Sequence, residues 1–238
     1  MLSLDHKKIP QTCRWYPFPD AGKLAQTAVA EIQRAAQQAI ESRGVFHIVL
    51  AGGSTPRRVY EALRNTQTDW RAWHIYFGDE RCLPRDHEER NSRMAALAWL
   101  DHVSIPASQI HIIPAEGGAI AVASYTSVVE KVEEFDLVLL GLGEDGHTAS
   151  LFPAHEIGAS ADAPAVLFVV DAPKPPPRRI SLSAQRLSAA RQVMFLITGH
   201  NKADAMRNWR AGLAIPAAAI TPGQGVDIYF EAVSQQPA

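Results

Sequence analysis

The chain has 238 residues, of which 47% are hydrophobic and 20% charged, and its formal net charge is -2. That length suits one large α/β domain or two small ones, and the composition supplies a sizeable core without the charge excess of a disordered chain. The near-neutral balance excludes a global attraction for nucleic acid or anionic lipid, so any anion has to be caught by a local cluster of positive groups. Cys13 and Cys82, the two cysteines, cannot build a disulfide framework or a cysteine zinc site, and they fit reduced thiols in the cytoplasm. The segment Met1–Pro10 carries Asp5, His6, Lys7 and Lys8 and lacks the apolar stretch of a signal peptide. No later run reaches the ~18 apolar residues of a membrane span, so the expectation is a cytoplasmic protein, neither exported nor membrane-spanning.

From Ala21 to Arg43 the apolar residues Leu24, Ala28, Ile32, Ala35, Ala36, Ala39 and Ile40 recur at helical spacing, and Gly44 ends the pattern. Val45–Leu50 reads as a strand too apolar to keep one face in water, which predicts a buried parallel sheet. It runs into Gly52-Gly-Ser-Thr-Pro56, where Thr55 suits a helix N-cap and Pro56 the first helical position, with the helix continuing through Val59, Tyr60 and Leu63. The same order repeats with a strand at Trp73–Phe77, an irregular charged loop from Gly78 to Arg90 and a helix over Asn91–Leu100. A short strand at Ile110–Ile113, a helix over Ala119–Val132 and a strand at Phe135–Leu140 come next. The remaining expectations are a strand at Val166–Val170, a proline-rich turn at Pro173–Pro177, a helix over Leu182–Ala190, a strand at Val193–Thr198, a helix over Lys202–Trp209 and a last strand at Val226–Phe230. Strands alternating with helices predict a Rossmann-like α/β fold, a mostly parallel sheet with helices on both faces, and no linker or repeat divides it, so residues 1–238 read as a single domain.

In such sheets ligands lie outside the carboxyl ends of the strands, and four strand-to-helix loops carry candidate chemistry. At Gly53, Ser54 and Thr55 the backbone can approach an anion while a helix N-terminus aims free N–H groups at it; a tight turn with a capped helix explains the same residues. The Gly-Lys-Ser/Thr ending of an ATP-binding loop is missing. In Gly78-Asp-Glu-Arg81, Arg81 is either a fork of donors for a carboxylate, hydroxyl or phosphate or half of a local salt bridge with Asp79 or Glu80. Asn91, Ser92 and Arg93 begin the next helix and either contribute to the same site or, for the first two, serve as helix caps, which explains them adequately. Gly141-x-Gly143-x-x-Gly146 mimics a dinucleotide fingerprint, but Glu144 and Asp145 would put negative charge in a pyrophosphate cradle, and Pro153, Gly158 and Pro164 stand where that motif needs a helix. What the loop delivers is His147 at a strand's carboxyl end, two residues after a carboxylate, and an imidazole can take and return a proton near neutral pH. In the fourth loop Lys202 offers a point charge for phosphate or a merely solvated ammonium. Arg178 and Arg179 either add cations or decorate the proline-rich turn.

These segments together, Ala51-Gly-Gly-Ser-Thr-Pro56, Gly78-Asp-Glu-Arg81 with Asn91, Leu140 to Pro153, Pro177-Arg-Arg-Ile-Ser181 and Phe195 to Lys202, resemble the 6-phosphogluconolactonase family, within the wider group that includes glucosamine-6-phosphate deaminase. The resemblance covers nearly the whole chain and implies a Rossmann-like sandwich that hydrolyses 6-phospho-D-glucono-1,5-lactone to 6-phosphogluconate without metal or organic cofactor. It implies His147 as the general base, Asp145 orienting its imidazole, Gly53, Ser54, Thr55 and Lys202 at the phosphate, and Arg81 with Arg179 on phosphate or developing oxyanion charge. The expected ligand is a small phosphorylated sugar lactone, with no nucleic acid and no membrane as partner; the oligomeric state stays open. The deaminase branch would follow Asp-Gly-His with a glutamate-bearing stretch, which Thr148 to Pro153 lacks. A sugar-phosphate-binding regulator would carry a DNA-binding module, and no basic helix-turn-helix precedes Val45. Cys82, where an aliphatic residue is the family habit, and the strand Asp227–Phe230 depart from the pattern without removing a proposed catalytic group.

Overall fold

A computed structural model describes residues 11–232, so the N-terminal segment read above for a leader lies outside the described residues. The chain begins with β1 (Cys13–Phe18), α1 (Ala21–Arg43), β2 (Phe46–Leu50), α2 (Ser54–Leu63), β3 (Trp73–Phe77), β4 (Asp79–Arg81) and α3 (Asn91–Ala98). It continues through α4 (Ala119–Val129), β5 (Phe135–Leu140), β6 (Val166–Val169), β7 (Arg179–Leu182), α5 (Ala184–Ser188), β8 (Ala190–Ile197), α6 (Ala203–Arg210) and β9 (Val226–Glu231).

Six strands form a wholly parallel sheet in the order β1-β9-β8-β5-β2-β3. Near its centre every residue of β5 is buried, which is why this stretch reads as an unbroken apolar run with Asp136 as its one exception. Helix α1 shows how such a sheet is covered. Asp20 caps it by accepting from the Lys23 N–H at 2.7 Å, Gly44 closes it by donating to the Ile40 carbonyl at 2.9 Å, and Leu24, Ala28, Ile32, Ala36 and Ala39 between them are fully buried. Among the described residues no helix is long and apolar enough to cross a membrane.

The second sheet, β4-β7-β6, is antiparallel and was not expected. The chain passes into it at Gly78, whose N–H donates to Leu50 of β2 at 3.0 Å and whose carbonyl accepts from Leu182 of β7 at 2.8 Å. The charged segment after β3 therefore starts as strand β4 rather than as irregular loop. The helix expected over Leu182–Ala190 is likewise divided: Leu182 ends β7, Ser183 caps the short α5 by accepting from the Arg186 N–H at 3.1 Å, and Ala190 already belongs to β8.

One further strand was missed and two further expectations are corrected. Strand β1 escaped the reading because Cys-Arg-Trp-Tyr-Pro-Phe has neither an apolar run nor an alternation; a proline is tolerated there because β1 is an edge strand, paired only with β9. The strand at Ile110–Ile113 shrinks to one parallel bridge between Ile75 and Ile110: after the His111 N–H donates to Ile75, the Ile112 N–H turns back to Ile110 and Pro114 has no N–H to offer. Thr55 is not the N-cap of α2. That position is Gly53, at φ 107, a left-handed conformation open to glycine at little cost, and no side chain caps the helix.

Candidate active site

The carboxyl ends of β2, β3, β5 and β8 open on a cleft with two halves. One is a cavity of about 190 Å³ bounded by Gly52, Asp79, Arg81, Asn91, His147 and Arg179. The other, about 150 Å³, is bounded by Ser54, Thr55, Thr198 and Lys202. Both share Gly52, Gly53, Gly141 and Leu142 in their walls, so a single elongated ligand can occupy the two together.

The loop after β5 is folded around His147. The Gly143 N–H donates to the His147 carbonyl at 2.7 Å, and the Thr148 hydroxyl donates to the Gly141 carbonyl at 2.9 Å. No helix follows for more than thirty residues, so the glycine spacing is not a dinucleotide cradle. The imidazole leans on the Phe152 ring, centroids 4.8 Å apart, and its Nδ1 lies 2.5 Å from Asp145 Oδ1. Burial raises the Asp145 carboxyl, and the His147 hydrogen bond and charge outweigh it, leaving the group below its ordinary range and ionised at neutral pH. An ionised Asp145 can only accept, so in the neutral form of the ring the proton sits on Nδ1 and the lone pair on Nε2. Glycine at 143 is required by proximity: a Cβ there would stand 1.9 Å from His147 Nδ1 and 2.6 Å from Asp145 Oδ1. Just beyond, Ala149 is held at φ 47, backbone strain of the kind that collects where a site is over-determined by its surroundings.

The charges of Gly78-Asp-Glu-Arg81 divide their labour. Glu80, fully buried, accepts from the backbone N–H groups of Arg81, Asn91 and Ser92 at 2.8, 2.8 and 2.9 Å and from the Ser92 hydroxyl at 2.6 Å, while the buried Arg90 stands 3.2 Å away. Asp79 accepts from Asn91 Nδ2 at 2.9 Å and from the Ser150 hydroxyl at 2.6 Å. Neither carboxylate takes Arg81, so the local salt bridge open from the sequence is not made. Arg81 donates from Nη1 to the Glu89 carbonyl, and its Nε is buried without a partner. Arg179 braces the proline-rich turn, donating from Nε to Pro176 at 3.1 Å and from Nη2 to Lys174 at 2.9 Å, and its guanidinium lies 5.6 Å from the Phe152 centroid. Burial lowers its pKa, with Asp79 opposing, yet a guanidinium stays charged. Arg178 turns the other way, onto Phe168.

In the second half of the cleft the uncapped start of α2 presents free N–H groups. Ser54 is exposed, and Thr55 shares a 2.6 Å hydrogen bond with Thr198 at the end of β8, which ties the two loops together. Lys202 is half-buried; desolvation lowers its pKa, opposed by Glu144 and Asp145. The Glu144 carboxylate is itself engaged, accepting from Asn201 Nδ2 at 2.6 Å.

Every site residue expected from the sequence thus lines one cleft, apart from Asp145, which touches it through His147. Asn91 was misread. The cap position of α3 is Arg90, and the Asn91 side chain reaches back to Asp79 instead of capping. The contacts of Ser150 and Thr198 could not be read from the segments they lie in, because their partners are 71 and 143 positions away and only folding brings them together; Phe152, five positions after His147, was not singled out either. Among the described residues no group of three or more His, Cys, Asp or Glu is arranged to hold a metal ion.

Residues 19–229 match the family described as glucosamine-6-phosphate isomerases/6-phosphogluconolactonase. A 6-phosphogluconolactonase of Mycobacterium tuberculosis is 36% identical over 219 residues, covering 84% of this chain and 88% of that protein. Its counterpart in Nostoc is 35% identical, covering 86% of this chain and 90% of that protein. The crystal structure of 6-phosphogluconolactonase from Thermotoga maritima superposes with a TM-score of 0.84 at 26% identity, covering 92% of this chain and 99% of that one. That from Trypanosoma brucei gives 0.82 at 25% identity, covering 93% and 97%. The chain belongs to the glucosamine-6-phosphate isomerase/6-phosphogluconolactonase family.

Proposed function

We propose that the chain is a 6-phosphogluconolactonase in which His147 activates water for attack on 6-phospho-D-glucono-1,5-lactone, yielding 6-phosphogluconate. The observation that carries the mechanism is the Asp145–His147 pair beside Arg81 and Arg179 in one half of a cleft whose other half carries Lys202. With Nδ1–H donated to Asp145, Nε2 takes a proton from water as the water oxygen bonds to C1 of the lactone. The carbonyl electrons move onto oxygen, where Arg81 and Arg179 stabilise the charge; the unpartnered Arg81 Nε supports this role. On collapse the bond between C1 and the ring oxygen breaks, and the imidazolium returns its proton to that oxygen.

The 6-phosphate occupies the other half of the cleft, against Lys202, the Ser54 and Thr55 hydroxyls and the N–H groups beyond Gly53. Binding energy gathered there, remote from the breaking bond, aligns carbonyl, water and base. No carboxylate stands in the stretch from Thr148 to Pro153 directly after His147, and Thr148 and Ser150 there are committed to Gly141 and Asp79; this favours lactone hydrolysis over ring-opening deamination. The two cysteines are unpaired, which supports a cytoplasmic setting. The test is the rate of disappearance of freshly prepared 6-phosphogluconolactone against its spontaneous hydrolysis. Marked acceleration with stoichiometric acid release is expected; a rate equal to the blank would overturn the reading.

A further inference from the structure

Asn91 is only 4% exposed, yet it lines the His147 half of the cleft and not the Lys202 half. Its amide is locked in one orientation. Nδ2 donates to the Asp79 carbonyl and to Asp79 Oδ1, both at 2.9 Å, and Asp79 is itself held by the Ser150 hydroxyl. Both Nδ2 hydrogens are therefore committed, and Oδ1 has no donor among the described residues. It faces Gly52 so closely that a Cβ there would stand 2.0 Å from it. A near-buried, pre-oriented group that can only accept hydrogen bonds repels phosphate and carbonyl oxygen and selects a donor.

We propose that Asn91 is a specificity-determining residue whose Oδ1 accepts a hydrogen bond from a ring hydroxyl at the carbonyl end of the sugar lactone, on C2 or C3. This rests on the reading of the cleft as a phosphosugar lactonase site. With C1 against His147 and the phosphate against Lys202, the hydroxyls nearest C1 share the half that contains Asn91. The Asp79–Ser150 pair keeps the amide from rotating, so Oδ1 is presented without reorganisation when the ligand arrives.

The test compares kcat/KM for 6-phosphogluconolactone with that for its 2-deoxy and 3-deoxy counterparts, in the unaltered protein and in Asn91→Ala. The unaltered protein should disfavour one deoxy lactone by about tenfold, as one lost neutral hydrogen bond predicts. Asn91→Ala should bring that ratio close to one while the preference for phosphorylated over unphosphorylated lactone persists. Equal rates on all three lactones in the unaltered protein would overturn the proposal, as would an Asn91→Ala variant that loses the same factor on each, since that pattern belongs to a merely structural role or to a residue orienting the water. Should Asn91→Ala fail to fold, Gly52→Ala pushes Oδ1 aside with the amide still present and should erase the same ratio. Absence of catalysis on every phosphorylated lactone by the unaltered protein would instead refute the lactonase reading itself.

Discussion

At the amino end of the parallel sheet, Arg43, His47, Lys131, Asp136 and Arg191 surround a cavity of about 570 Å³, far roomier than the 190 Å³ half-cleft that holds His147 at the carboxyl end. The two ends differ in what their charges do. At the amino end Asp136 accepts from Arg43 Nη2 and from the His47 N–H at 2.6 and 2.8 Å, and Arg191 reaches Glu134 and Asp136 at 3.1 and 3.5 Å. At the carboxyl end Arg81, Arg179 and Lys202 enter no ion pair among the described residues. Size does not mark the site. Among the described residues, Lys131 alone of the cations named at the amino end is outside an ion pair, whereas three cations outside any ion pair, an uncapped helix start and a buried guanidinium N–H without a partner at the carboxyl end leave unmet demand that suits an anion.

Substitutions at each end break this comparison in opposite ways. The largest effect belongs to His147→Ala, which should lower kcat by roughly 10²–10⁴-fold, the range for loss of general acid–base catalysis, with an unchanged melting temperature. Gly143→Ala should approach that loss with His147 still present, because the added methyl has to displace the imidazole; near wild-type turnover would show that the ring position is not critical. Next, Lys202→Ala should weaken binding of the phosphorylated lactone about 10- to 150-fold, matching a charge-assisted contact of about 1.5–3 kcal/mol, and an unchanged KM would count against a phosphate role.

At the amino end the expected losses are of stability. Asp136→Ala removes the acceptor of the part-buried His47 N–H and the partner of Arg43 and Arg191, and should cost about 1–3 kcal/mol in chemical denaturation while kcat/KM holds. The smallest effect is a pH dependence. Burial, then the nearby His74, pushes the His47 imidazole down from 6.5 to about 4, and burial also lowers His74 and His111. Below the unfolded value the unfolded chain binds protons that the folded one refuses, so this part of the stability is complete above pH 6.5 and declines as the pH falls toward 4. Since His47 is partly open to solvent, its share is about 1 kcal/mol rather than the full equivalent of the shift. Denaturation midpoints of His47→Asn at pH 7.5 and pH 4.5 should differ less than those of the unaltered protein; an equal difference would remove His47 from the account.

The buried strands β2, β3 and β5 and the long helix α1 were legible because a parallel sheet covered on both faces demands unbroken apolar runs, and a covering helix demands a stripe. Strands β4 and β7 were not, because Asp79-Glu-Arg81 and Arg179-Ile-Ser-Leu182 carry charges that are tolerated only once Asn91, Ser150 and the proline-rich turn satisfy them. The contact of Asn91 was hidden for the same reason: as the first residue of a helix it reads as a cap, and its hydrogen bonds to Asp79 show otherwise.

The alternation of strand and helix and the chemistry on offer in the strand-to-helix loops were in the sequence, since both are local properties; His147, Asp145 and Lys202 stood there as candidates, and the family resemblance supplied their expected roles. The tertiary structure decided which of the charges remain free. That is a matter of partners far apart in the chain, such as Thr55 with Thr198 and Asp79 with Ser150, and an unsatisfied group is defined only after every other group has found its neighbour.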